Sequence, residues 1–201
     1  NTAIGKHSLR LNTTGGDNTA VGKDSLGANT TGTRNVAVGA LALDANTVGG
    51  KNVALGIDAL GTNVDGSRSV AIGDSALLTQ DPASAVDMYN TAVGHGAGSA
   101  VTTGVKNTFV GGLAGDATTT ANENTAVGYH SLGTNTTGAD NVALGAFSLF
   151  SSTTASFNTS VGSSAMETNT TGANNTAVGY QSLLANTTAA DNVAVGYQAL
   201  L

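Results

Sequence analysis

Short apolar triplets recur along the chain at a fixed spacing, each preceded by Asn or Ser and followed by Gly. A triplet holds Thr or Val, then in most units Ala, then Val, Ile or Leu. The units begin at residues 1, 18, 35, 52, 69, 90, 107, 124, 141, 158, 175 and 192. Ten of the eleven intervals are 17 residues and one is 21. This period indicates a single repeat domain over residues 1–201, with a four-residue insertion within residues 78–89.

Each unit also carries Ser or Ala at position 8, in most cases Leu at position 9, and in its commonest form Asn-Thr-Thr-Gly at positions 12–15. Gly at position 5 and β-branched residues at positions 2, 4, 13 and 14 disfavour a helix. We therefore predict a strand at positions 2–4, a glycine corner, a second short strand or extended segment at 7–10, and a closing turn. Units stacked about 4.8 Å apart then form an all-β fold, a parallel β-solenoid or β-roll of twelve 17-residue coils.

Stacking aligns identical positions into rows, and two rows are predicted to form a structural ladder. Position 1 is Asn in eleven units, with Ser69 as the exception, and position 5 is Gly in all twelve. Stacked amides can bond one another as in cross-β ladders, and eleven copies of one Asn argue against a catalytic role. In the first four coils the ladder comprises Asn1, Asn18, Asn35, Asn52, Gly5, Gly22, Gly39 and Gly56.

Large apolar residues at positions 4 and 9 are the expected core, with position 4 as one continuous buried row from Ile4 onward. Coils 6 and 7 lack the leucine of position 9 and carry Gly98 and Gly115 there, while coil 7 has Phe109 at position 3. We predict that Phe109 fills the vacated space, because protein interiors are close-packed. The insertion in coil 5 is expected to bulge from the stack as a loop.

A core this thin predicts that one chain is not stable alone. The first and last units are as regular as the others and show no capping sequence. The chain also begins with Asn rather than Met, which suggests a processed product or an excerpt of a longer polypeptide. We expect copies to associate as a filament or trimer, or the repeat to continue.

Composition and charge disfavour several classes of function. A net charge of −6, with no Lys or Arg after residue 106, argues against a nucleic-acid partner. Without Cys there are no thiolate metal sites, and His7, His95 and His130 fall in coils too far apart to share a metal. No apolar stretch approaches membrane-spanning length. We therefore expect neither an enzyme nor a cofactor, and no membrane span.

The Asn-Thr-Thr turn supplies candidate sites for glycan attachment. Adjacent threonines should point to opposite sides, one row bonding backbone and the other facing water. Asn at position 12 opens an Asn-x-Thr sequon. Plain turn chemistry and glycan attachment both remain open for this segment. The candidates are Thr13, Thr14, Thr30, Thr31, Thr136, Thr137, Thr170, Thr171, Thr187, Thr188, Asn12, Asn29, Asn135, Asn169 and Asn186.

Aromatic residues are few and grouped. Tyr129, Tyr180 and Tyr197 share position 6, so the last two, in consecutive coils, should stack. They could shield backbone or form a platform for carbohydrate. Phe147, Phe150 and Phe157 lie within eleven residues and either form an exposed apolar patch or fill a local gap.

The Asn-Thr/Val-Ala-Val/Ile-Gly core with a small residue at position 8 resembles the head repeats of trimeric autotransporter adhesins of the YadA type. Units such as residues 175–188 also resemble repeats in phage tail fibres. The resemblance covers all twelve units and implies a left-handed parallel β-roll, although the adhesin unit is shorter and lacks the Asn-Thr-Thr-Gly turn. Because the shared residues are scaffold, it identifies no binding residue.

Two functions remain in view. The first is the structural shaft or protofilament of an extracellular fibre that associates with itself. The second is an adhesin head or tail-fibre module that binds host glycan or matrix. Both place the chain outside the cell, on a cell surface or a virion surface. Ice binding is disfavoured, because Thr13 and Thr14 are adjacent and cannot share one face.

Overall fold

The computed structural model describes all 201 residues as one stack of twelve short parallel strands joined by turns, without a helix. Each strand pairs with its neighbours in sequence, and equivalent positions are in register, as in Thr2↔Thr19 and Ala3↔Ala20. The strands β1 to β12 are Thr2–Ile4, Thr19–Val21, Val36–Val38, Val53–Leu55, Val70–Ile72, Thr91–Val93, Thr108–Val110, Thr125–Val127, Val142–Leu144, Thr159–Val161, Thr176–Val178 and Val193–Val195. The predicted all-β parallel solenoid is confirmed.

The glycine at position 5 turns every coil out of its strand. All twelve of these glycines have φ between +132° and +143°, a conformation that L side chains rarely adopt. A Cβ at this position would also collide with the backbone carbonyl of the equivalent glycine one coil further on, as at Gly22 against Gly39. Two constraints, backbone conformation and close approach of adjacent coils, therefore require Gly here.

Positions 7–10 form a turn, so the predicted second strand is wrong. Residues at positions 7 and 9 adopt the left-handed conformation, as Asp24 (φ 57°) and Leu26 (φ 48°) do in coil 2. Two left-handed residues separated by one curl the chain instead of extending it. Their amides bond across coils, with Asp24 donating to the Lys6 carbonyl at 2.9 Å and Leu26 to the Ala42 carbonyl at 3.0 Å.

The interior is filled from positions 3, 8 and 9. In coil 2 these are Ala20, Ser25 and Leu26, none of which has exposed surface. Side chains alternate across a strand, so an inward position 3 directs positions 2 and 4 outward. The predicted buried row at position 4 is therefore wrong. None of its twelve residues is buried, and Val38 and Val127 are each 37% exposed.

Phe109 fills the space of the two absent leucines, as predicted. It has no exposed surface, and it belongs to coil 7, one of the two adjacent coils that lack Leu. A Cβ built on Gly98 would approach the Phe109 Cδ2 to 2.7 Å, and one on Gly115 would overlap the same ring. One aromatic ring thus replaces two aliphatic side chains and keeps the core continuous.

The insertion leaves the stack between β5 and β6 without disturbing their register, since Val70 still pairs with Thr91. Residues 83–87 are exposed, whereas Gln80 and Met88 return to the interior. Gln80 also compensates for Ser69, the one position 1 without Asn. Its Oε1 accepts hydrogen bonds from Ser69 Oγ at 3.1 Å and from the Asn90 amide at 2.9 Å.

Replacing Phe109 with Ala should lower the free energy of unfolding by about 3–5 kcal/mol, because it opens a cavity across two coils. Phe157→Ala is the matched control, since Phe157 is 61% exposed and should change stability by less than about 0.5 kcal/mol. Chemical denaturation followed by circular dichroism measures both. Equal losses in the two variants would contradict the compensating role of Phe109.

Candidate interaction surfaces

The position-1 asparagines form a buried ladder in which both amide atoms are used. Asn18 Nδ2 donates to the Gly32 carbonyl at 2.8 Å, and Asn18 Oδ1 accepts the Asn35 backbone N–H at 2.9 Å. Direct bonds between amides are secondary, as in Asn107 to Asn90 at 3.3 Å. The ladder therefore works mainly by joining side chains to backbone, and its buried amides are scaffold.

A second asparagine row, at position 12, stacks beside the first. Asn29 Nδ2 donates to Asn12 Oδ1 at 2.7 Å and to the Gly32 carbonyl at 3.1 Å. Sequence reasoning read these residues as part of a surface turn and missed the row. Asn29, Asn135 and Asn169 have no exposed surface.

N-linked attachment is therefore wrong for Asn29, Asn135 and Asn169, because the nitrogen that would carry the sugar lies inside the rod. Asn12 and Asn186 are half-buried. Their Nδ2 atoms donate to the Gly15 and Ala189 carbonyls, each at 3.0 Å. These two amides are thus engaged with backbone as well.

The two threonine rows point to opposite sides. Position-13 hydroxyls donate to the position-13 carbonyl of the next coil, as Thr13 does to Thr30 at 2.9 Å and Thr136 does to Thr153 at 3.0 Å. Thr30 and Thr170 repeat this bond at 3.0 and 2.9 Å. Position 14 is exposed to solvent at Thr14, Thr31, Thr137, Thr171 and Thr188. Position 14 is therefore the accessible hydroxyl row.

Positions 2 and 4 of the twelve strands form one continuous surface, here called the outer face. Position 2 is always Thr or Val and position 4 always Val, Ile or Leu, so the outer face carries no charge in any coil. All of its side chains are exposed or half-buried. An uncharged, largely apolar strip of this length is typical of a surface that contacts a partner.

The tyrosines and phenylalanines form two separate groups. Tyr180 and Tyr197 stack as predicted, with ring centroids 5.5 Å apart and planes inclined by 18°. Tyr129 instead joins the second group, in which it contacts Phe147 at 5.5 Å between centroids and Phe147 contacts Phe150 at 5.8 Å. Phe157 is exposed and stands apart from both groups.

Two histidine–aspartate pairs lie on the flank. His7 Nδ1 is 3.0 Å from Asp24 Oδ1, and His130 Nδ1 is 3.9 Å from Asp116 Oδ1 beside the phenylalanines. Burial raises the pKa of Asp116, an effect that the charge of His130 partly offsets. No group of three or more His, Asp or Glu side chains is placed to hold a metal ion.

The rod surface has no enclosed cavity or cleft. No helix long and apolar enough to span a bilayer is present. Comparisons with protein-family models, with curated proteins and with solved structures find no match to this chain. The surfaces described above are therefore the basis for any assignment of function.

Asn141→Ala should destabilise the rod because it leaves two buried groups without a partner. These are the Asn158 N–H, which bonds Asn141 Oδ1 at 3.0 Å, and the Ala155 carbonyl, which bonds Asn141 Nδ2 at 2.8 Å. Each unpaired group should cost about 1–3 kcal/mol. Ser163→Ala, at an exposed position with ordinary backbone φ, is the control and should unfold like the original chain in thermal melts. Equal melting temperatures for the two variants would refute the structural role of the ladder.

Proposed function

We propose that the chain is the rod-shaped structural repeat of an extracellular fibre, in which copies associate through the outer face to build a shaft or protofilament. The observation that supports this proposal is the uncharged, unpartnered outer face that runs through all twelve coils. The hydrophobic core inside the coils meanwhile consists mainly of Ala and Leu. Association would bury the Val, Ile and Leu side chains that the coil itself leaves outside.

Area and geometry favour a partner of the same kind. Twelve strands at about 4.8 Å spacing and roughly 10 Å width give an outer face of about 550 Å². Two such faces bury about 1,100 Å², near the lower end for specific interfaces. The buried area grows with each coil added, which suits a long fibre. A second copy also repeats the same strand spacing, so its rows of outer-face side chains match those of the first copy over the full length of the rod.

An adhesin head or tail-fibre module that binds host glycan is the second candidate, and one observation favours it. Tyr180 and Tyr197 present a stacked aromatic pair that is 46% and 73% exposed. Beside it, Gln198 Nε2 donates to Gln181 Oε1 at 2.9 Å. Aromatic faces with adjacent amides suit sugar rings. Glycan-array binding that disappears in Tyr180→Ala and Tyr197→Ala, but survives outer-face substitutions, would favour this function.

We further propose that the position-14 threonines carry O-linked sugars that solubilise a fibre with little charge. Thr14, Thr31, Thr137, Thr171 and Thr188 offer hydroxyls to solvent, and position 13 is engaged with backbone. Intact mass of protein from its natural source should then exceed the 19.5 kDa polypeptide. Peptide mapping should place the added mass at position 14. A mass equal to that of the polypeptide would overturn this proposal.

Charges placed on the outer face should abolish association without unfolding the rod. Val110→Lys with Val127→Lys introduces two cations in adjacent coils at half-exposed sites. Burying them against a second copy would be costly. The chain should therefore become monomeric in sedimentation velocity and keep its circular dichroism spectrum.

Thr103→Lys with Thr120→Lys is the matched control, because it adds the same charge to the exposed position-14 row of adjacent coils. This variant should assemble like the original chain. Assembly that persists in the outer-face variant, or is lost equally in both, would count against the proposed interface.

A further inference from the structure

The last residue of each coil forms a row, here called the corner row, in which charge is segregated along the rod. The row holds Asp17, Arg34, Lys51, Arg68, Tyr89, Lys106, Glu123, Asp140, Phe157, Asn174 and Asp191. Its four bases all lie in coils 2–6, and three of its four acids lie in coils 7–11. Four of the chain's seven basic residues are in this one row.

The corner row is a rigid ridge beside the outer face. All of its residues have left-handed φ between 53° and 62° and are exposed. Their amides tie the ridge together, as Arg34 N–H donates to the Gly16 carbonyl and Lys51 N–H to the Thr33 carbonyl, at 3.0 and 2.9 Å. Each corner residue precedes the buried position 1 by one residue and the strand by two. Any partner seated on the outer face therefore meets this ridge.

Contacts within the chain account for only part of the segregation. Lys106 pairs with Glu123 at 2.7 Å, Arg34 with Asp17 at 3.8 Å, and Arg68 with Asp87 of the insertion at 2.8 Å. Lys51, Asp140 and Asp191, however, form no salt bridge within the chain. Basic and acidic residues that alternated along the row would pair with their neighbours. The corner row instead has a basic half and an acidic half.

We infer that two copies pack their outer faces together antiparallel, about a twofold axis perpendicular to the rod, with coil 2 of one copy beside coil 11 of the other. This arrangement joins equivalent edges, so one corner row faces the other. Arg34 meets Asp191 of the second copy and Lys106 meets Glu123. Arg68, which bonds Asp87 and lies over the Tyr89 ring in its own chain, comes level with the exposed Phe157 of the second copy. No two like charges are opposed anywhere along the row.

The same charges disfavour the adjacent registers. A slip of one coil in one direction opposes the two Glu123 side chains of the pair, although it also brings Lys51 level with Asp191 and Lys106 level with Asp140 of the second copy. A slip in the other direction opposes the two Lys106 side chains of the pair. It also places Asp17 opposite Asp191 of the second copy. Exposed pairs add little affinity, so the outer face supplies the binding and the ridge selects direction and register.

A parallel pair about an axis along the rod is less favourable. There the corner row would face position 6 of the second copy, on the opposite edge of the strand. Charged residues at position 6 are Lys6, Lys23 and Asp74, so Arg34 would oppose Lys23. The acidic half of the ridge would meet no base at all.

This inference rests on the proposed self-association, and spin labels separate the two. The chain has no Cys, so Asn174→Cys in coil 10 and Asn122→Cys in coil 7 give single neutral labels that leave the charges intact. In the antiparallel pair the Asn174→Cys labels lie seven coils apart along the rod, about 34 Å. The Asn122→Cys labels lie one coil apart, about 5 Å along the rod.

Pulsed electron double resonance should therefore give a long distance for the first variant and a short one for the second. Short distances for both would overturn the antiparallel arrangement while leaving self-association intact. A monomer in sedimentation velocity, with no distance between labels, would overturn the proposed function as well.

Charge reversal tests the contact between the two copies directly. Arg34→Glu alone and Asp191→Arg alone each oppose like charges at both ends of the pair. Each should weaken association at low ionic strength by about tenfold. An equimolar mixture should recover to within about threefold, because the reversed residues attract across the interface. A mixture no better than the single variants would contradict the pairing.

Discussion

Each coil has to satisfy its buried polar groups through the coil next to it, and this constraint shapes the rest of the molecule. The Asn at position 1 meets the requirement by bonding a carbonyl of its own coil and an N–H of the next, as Asn18 does with Gly32 and Asn35. Such bonds hold only if successive backbones are close and in register. Gly at position 5 allows that approach, since a Cβ there would collide with the next coil. The near-constant Asn at position 1 and the invariant Gly at position 5 therefore follow from hydrogen bonding and sterics.

The same narrow stack explains which features were predictable from sequence. The 17-residue period, the glycine corner and the role of Phe109 follow from spacing and volume, and each is confirmed. The sequence did not determine which strand side chains point inward. Alternation along Thr-Ala-Val allows either Ala at position 3 or Val at position 4 to face the interior. We assumed that the larger residue is buried. The small Ala20 instead fills the interior beside Leu26 and Ser25, and all three are fully buried.

The second asparagine row left only a weak signal in the sequence. Two regular coils with Ala at position 15, Ala121 and Ala155, carry Thr118 and Ser152 instead of Asn at position 12, whereas a third combines Ala189 with Asn186. A Cβ on Gly32 would collide with the Asn29 side chain, but the pair of Asn186 and Ala189 shows that the residue at position 15 does not by itself predict the row. The left-handed turn at positions 7–10 left no clear signal either, because position 7 varies widely between coils and position 9 is mostly Leu, which rarely adopts a left-handed φ.

The outward direction of the position-4 side chains links this architecture to the proposed function. A row assigned from sequence to the core instead lines an uncharged surface beside a segregated ridge of charge, and these two features support the proposed self-association. Cryo-electron microscopy of the purified chain tests this account most directly. We predict rods with an axial repeat of about 4.8 Å joined along their outer faces. Single rods at every concentration, with the outer face open to solvent, would contradict it.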